Sequence, residues 1–143
     1  DMHYRMRKAG YRFYFSPDIL SWHAARKTLR GQLNQKWGNG YWIGRTMRIQ
    51  PRCFAPRHLI PALFVLALVV LLAVFPLWEL PLCAMLLLYG ILDIVFAVKA
   101  AAEAPRGKLL VFLCLPFLFP VVHIVYGVGT ICGLLTGKAS KYA

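Results

Sequence analysis

At 143 residues the chain is about one domain long. It carries 17 Lys and Arg against five Asp and Glu, a net of +12, yet 59% of it is hydrophobic. High charge with low hydrophobicity marks disorder, which this apolar content excludes; the combination also excludes an ordinary soluble globule. The charge is uneven. Residues 1–58 hold 12 of the basic residues against Asp1 and Asp18, a net of +10, whereas residues 59–143 hold five against three, a net of +2. A basic, aromatic-rich head (1–58) therefore precedes an apolar region (59–143).

The opening residues, Asp1 to Ala9, read as the inside of a helix with Gly10 as its C-cap. With no initiator Met and no signal-peptide pattern, the chain reads as part of something longer. Tyr11-Arg12-Phe13-Tyr14-Phe15 alternates in the manner of a strand, Ser16-Pro17-Asp18 is a turn, and Ile19 to His23 reads as a second short strand. From Ala24 to about Ile49 the pattern turns helical: Leu29, Leu33 and Trp37 recur every four residues, with Arg26, Arg30 and Lys36 mainly off that stripe. Gly38-Asn39-Gly40 interrupts it, and Tyr41-Trp42-Ile43 resumes an apolar patch. A basic amphipathic helix of this kind lies in the bilayer interface, where its cations attract anionic head groups. A nucleic-acid surface needs similar charges, but this one leads straight into apolar segments, so nucleic acid is not an expected partner.

Three segments follow: 59–77 and 109–135 without charge, and 80–98 with Asp93 alone. Each reaches or approaches the roughly 20 apolar residues that a spanning helix needs. Trp78-Glu79 before Pro81 predicts a tight hairpin. Lys99, Arg106 and Lys108 in the next connection, like the head, favour the cytoplasmic side. The third segment holds Pro116, Pro120 and His123. It either crosses once, kinked, leaving Lys138 and Lys141 outside, or turns back and leaves them inside.

Ionisable groups in such segments are functional candidates. Asp93 lies about 8 Å from the end of its segment at the usual helix rise. It reads as a paired structural group or as part of a substrate path. His123 precedes Tyr126, Gly127 and Gly129, small residues that allow close helix packing, and reads as a packing histidine. The cysteines Cys53, Cys83, Cys114 and Cys132 show no C-x-x-C spacing and read as buried, reduced thiols. No metal-ligand cluster is visible: His3, His23 and His58 are isolated.

The order of residues in the head carries a resemblance. Asp1-Met2-His3-Tyr4-Arg5-Met6-Arg7-Lys8-Ala9-Gly10-Tyr11-Arg12-Phe13-Tyr14-Phe15-Ser16-Pro17 resembles the stretch of membrane-bound family 2 glycosyltransferases in which an acidic Glu-Asp pair opens a helix, followed by R-x-R-x-x-G-[YH]-x-[IF]. Ser21-Trp22-His23 and Arg26-Lys27-Thr28-Leu29 resemble the histidine and basic interface helix that follow. Gln35-Lys36-Trp37-Gly38-Asn39-Gly40 resembles the Gln…aromatic-Gly segment. His123-Ile124-Val125-Tyr126-Gly127-Val128-Gly129, with Gly133, is similar to the H-x-x-Y-G-x-G ending of the succinoglycan-biosynthesis type. Related processive synthases carry Gln-x-x-Arg-Trp; here Leu33 stands four before Trp37 and Lys36 replaces the arginine.

The resemblance implies a mainly α architecture. The C-terminal edge of a GT-A-type α/β domain (short helix, two short strands, amphipathic interface helix) is followed by about three transmembrane helices. It implies an inner-membrane, multi-pass enzyme of polysaccharide biosynthesis, with the head cytoplasmic. That enzyme would move a sugar from a nucleotide sugar to a lipid-linked or polysaccharide acceptor. The donor pocket and a divalent metal (Mg or Mn) held by Asp-x-Asp would lie upstream, with no ligand in this chain and no activity from it alone. Asp1 would be the general base, which must come within about 3 Å of the acceptor hydroxyl; a charge stabilised at a helix N-terminus is the competing reading. Gln35, Lys36 and Trp37 would line the acceptor or diphosphate side, unless they only pack the interface helix. The other reading of the whole chain is a non-enzymatic membrane anchor or assembly subunit with a basic lipid-binding face.

Overall fold

The computed structural model describes residues 2–22, 24 and 26–136. Five α-helices make up nearly all of its regular structure: α1 (Met2–Lys8), α2 (Leu29–Ile49), α3 (Ile60–Val74), α4 (Leu80–Glu103) and α5 (Lys108–Thr136). Two 3-10 turns, Pro51–Cys53 and Pro56–Leu59, join α2 to α3. Three helical stretches, Pro56–Val74, Leu80–Glu103 and Lys108–Thr136, are long and apolar enough to cross a membrane.

The head begins as its sequence predicts. Gly10 adopts φ +87°, and Tyr11 N donates to Met6 O at 3.0 Å, closing α1 with the six-to-one bond of a glycine C-cap. The two expected strands are absent: among the described residues none forms a strand, and Tyr11–Phe15 and Ile19–Trp22 run without regular structure. A strand needs a neighbour to take its backbone hydrogen bonds, and among the described residues no strand pairs with these. His23 itself lies outside the described residues.

The interface helix starts five residues later than Ala24, because Thr28 caps it: its Oγ1 accepts from Gly31 N at 3.1 Å. It also runs unbroken through Gly38-Asn39-Gly40. Glycine inside a helix costs about 1 kcal/mol relative to alanine. Here that cost is offset by packing, since Gly40 and Gly44 are buried against α5.

α5 is the centre of the bundle; α2, α3 and α4 each pack mainly on it. It is one continuous 29-residue helix despite Pro116 and Pro120. Neighbouring helices let a membrane helix tolerate the hydrogen bonds that proline removes. α4 continues past Val98 through Lys99-Ala100-Ala101-Ala102, strong helix formers, and stops at Ala104 before Pro105. Asp93 therefore lies ten residues, about 15 Å, from that end of its helix, deeper than the segment bounds predict. The connection 75–79 is the tight hairpin the sequence predicts.

The α2–α5 contact is made backbone to backbone. A Cβ at Gly40 would meet Tyr126 O and come within 3.1 Å of Thr130 N and Oγ1. One at Gly44 would meet Thr130 O and lie 2.8 Å from Leu134 N. From the other side, a Cβ at Gly129 would lie 2.6 Å from Trp37 O, and one at Gly133 would meet Tyr41 O. Glycines four apart on each helix thus abut the backbone of the other, the close-approach pattern of membrane helix pairs. The pairing of Trp37 with Gly129 and Tyr41 with Gly133 means that the two helices run parallel here. Thr130, fully buried between them, returns its hydroxyl to Tyr126 O at 3.0 Å.

Candidate functional site

Two features with chemical capacity stand on this frame, one on each side of α5's packing.

The first is a groove on the N-terminal half of α2. Asn34, Gln35, Gly38, Asn39 and Trp42, at helical spacing, share one face of the helix, and Arg26 closes the groove from the preceding turn. Gln32 Nε2 donates to Arg26 O at 2.9 Å and fixes that turn against the helix. The Arg45 guanidinium lies 5.1 Å from the centre of the Trp42 ring, a cation–π contact that orients the exposed indole. Three side-chain amides, each with donors and an acceptor, therefore line a groove with an indole and an arginine.

The sequence-derived candidates divide here. Gln35 lies in the groove. Lys36 and Trp37 do not line it; the backbone of Trp37 abuts Gly129. The indole beside Gln35 is that of Trp42, and the i, i+4, i+8 spacing of Asn34, Gly38 and Trp42 is the signal that marks this face. Asp1 lies outside the described residues.

The second feature lies between α4 and α5. His123 Nδ1 is 3.0 Å from the Tyr89 hydroxyl and 2.9 Å from Phe119 O. Tyr89 stacks on Phe64 of α3, with centroids 4.7 Å apart, and meets His123 edge-on at 5.8 Å. Asp93, one helical turn beyond Tyr89, lines the same cavity as Tyr89 and His123. The fold thus joins Asp93 and His123, which the sequence presents as separate candidates, and adds Tyr89. The i, i+4 relation of Tyr89 and Asp93 places both on one face of α4 and was legible in the sequence.

Among the described residues no group of three or more His, Cys, Asp or Glu side chains can hold a metal ion, so no step is assigned to one. All four cysteines are free thiols, but they are not buried: Cys83 and Cys114 are exposed, and Cys53 and Cys132 half-buried. Comparison of the chain with protein-family models, with curated proteins and with solved structures gave no match.

Proposed function

We propose that the chain is the membrane-docked C-terminal part of a family 2 glycosyltransferase. It would move a sugar from a nucleotide donor to a lipid-linked or polysaccharide acceptor at the cytoplasmic face of the inner membrane. The observation that carries this reading is the α2 groove. The amides of Asn34, Gln35 and Asn39 match the paired donors and acceptors of sugar hydroxyls, and the Trp42 indole suits a sugar face. Arg26 suits a diphosphate. The glycine contacts fix this surface to the bundle's central membrane helix, so an acceptor held there is held at the bilayer. Asp1, as general base, takes the proton from the acceptor hydroxyl while that oxygen attacks the anomeric carbon and the nucleoside diphosphate leaves. The aromatic side chains Tyr14, Phe15 and Trp22, nearly fully exposed in the head, support its being one edge of a larger catalytic domain.

The orientation we propose rests on parity. Arg48, at the end of α2, donates to Leu135 O in the last turn of α5 at 3.4 Å. Tyr4 and Arg7 of α1 share a groove with Arg52 and Phe54, just beyond α2. These contacts support a reading in which the head and the α5 C-terminus share one face of the membrane, and the chain between them then crosses an even number of times. Of the three apolar helices, α4 and α5 cross. α3 does not cross: it starts with Pro61 beside Gly127, well inside α5, and its far end feeds α4, which runs antiparallel to α5. On this reading α5 crosses rather than turning back, and the 75–79 hairpin lies on the head's side. The 12 basic residues of the head outweigh Lys99, Arg106 and Lys108 on the opposite side. A membrane-impermeant maleimide should label Gly107→Cys from the face opposite Arg7→Cys and Trp78→Cys; labelling of Trp78→Cys and Arg7→Cys from opposite faces would overturn the arrangement.

The test of the enzyme begins with the coding sequence ahead of Asp1. An in-frame extension of about 200 codons, one domain's worth, with Glu before Asp1 and an Asp-x-Asp, supports the reading. Membranes containing that protein should then transfer label from a panel of nucleotide sugars, and Asp1→Asn should lose transfer while keeping donor binding. A start codon immediately before Asp1 ends the enzymatic reading for this chain and leaves the lipid-binding anchor.

A further inference from the structure

The cavity between α4 and α5 has a volume of about 440 Å³, within the usual range for a small-molecule site. Its mouth is formed by Ile60, Leu92 and Phe96, which are about half exposed, so it opens sideways onto the surface that lipid covers. Its inner wall carries Tyr89, Asp93 and His123. Asp93 is only 8% exposed, and among the described residues its buried Oδ1 has no hydrogen-bond partner. His123 does not supply one through Nδ1. That nitrogen is engaged elsewhere, 2.9 Å from Phe119 O and 3.0 Å from the Tyr89 hydroxyl. The cavity therefore offers a carboxylate oxygen without a donor, among apolar and aromatic walls, at the depth of the membrane.

We propose that this cavity binds a lipid-soluble amine, with its hydrocarbon along Leu92, Phe96 and Phe119 and its ammonium on Asp93. A buried carboxylate among apolar side chains calls for a cation. The ammonium brings three donors, and the faces of Phe96, Phe119 and Tyr89 are attractive to it. Phosphate-bearing lipids are disfavoured, because they would meet the carboxylate with like charge. The site is separate from the α2 groove and does not depend on the chain's being a glycosyltransferase.

The test uses the full chain in phosphatidylcholine nanodiscs with a diazirine-bearing dodecylamine as photoprobe and mass spectrometry of the labelled peptides. Label is expected on the α4 and α5 peptides that carry Leu92, Phe96 and Phe119, competed by dodecylamine but not by dodecanol or dodecyl phosphate. Asp93→Asn should lower that labelling by about tenfold or more, the loss of one well-formed charge contact. Leu92→Trp, which keeps the carboxylate and fills the mouth, should lower it too. Competition by dodecanol equal to that by dodecylamine, wild-type labelling of Asp93→Asn, or label spread evenly over the lipid-facing helices would each overturn the proposal. If a variant fails to fold, the competition series on the wild-type chain decides alone.

Discussion

α5 meets its neighbours by opposite means along its length. Towards its C-terminus, Gly129, Thr130 and Gly133 bring its backbone against that of α2, with no room for a further carbon. Near its middle, Phe119 and His123 hold α4 at the distance of aromatic rings and leave a cavity. The polar helix α2 has a mostly hydrophilic surface and little apolar area to bury, so it can be held to a membrane helix only by close approach. The apolar helix α4 has a surface that lipid can cover, so its contact with α5 can be looser. One contact fixes a surface in position, and the other leaves a cavity.

The strongest way to break this contrast is to add volume at the tight end. Gly44→Leu or Gly133→Leu forces atoms into backbone that lies closer than any real Cβ contact. The expected loss is about 3 kcal/mol, at the upper end of overpacking effects, read as a lowered Tm in mixed micelles. Limited proteolysis should then cut within α2 first, because it is the helix that comes free. If α2 stays protected in both variants, the glycine contact is not what docks it.

A smaller change sharpens the other contact. Tyr89→Phe removes the hydroxyl 3.0 Å from His123 Nδ1 but keeps the ring stacked on Phe64. His123 Nδ1 keeps its contact with Phe119 O at 2.9 Å. Hydrogen bonds between membrane helices are worth about 0.6 kcal/mol on average, and the loss in Tm should correspond to that. A loss as large as that of Gly44→Leu would mean that the α4–α5 contact is as rigid as α2–α5, and the contrast would fail.

How far the fold was legible follows the same division. The apolar runs 59–77, 80–98 and 109–135 name α3, α4 and α5, because a run of apolar side chains is a local property. Gly10 as the cap of α1 is local as well. The path of α2 through Gly38 and Gly40 is not local: its support comes from Tyr126 and Thr130, some ninety residues later. The signal was present as glycines four apart, Gly40 with Gly44 and Gly129 with Gly133, but only the second pair draws notice in an apolar segment. The strands read into 11–15 and 19–23 fail for the converse reason, since alternation describes a strand only where a partner exists. Of the α2 groove, Gln35 was legible from its place in the motif. Trp42 was not, because the choice between Trp37 and Trp42 depends on which face of α2 meets α5.

The finest test sets two glycines of α2 against each other. Gly38 and Gly40 are two residues apart in the same helix. A Cβ at Gly38 meets nothing within 4 Å, whereas one at Gly40 meets Tyr126 O and Thr130. Alanine loses less freedom than glycine on entering a helix, so Gly38→Ala should stabilise the protein by up to about 1 kcal/mol. The same change at Gly40 should lower the Tm, because the helices must separate to admit the methyl group. Helix propensity alone predicts a gain at both positions. Opposite signs, measured in the same micelles, therefore isolate the close approach itself, and two gains would show that α2 stands further from α5 than the glycine contacts require.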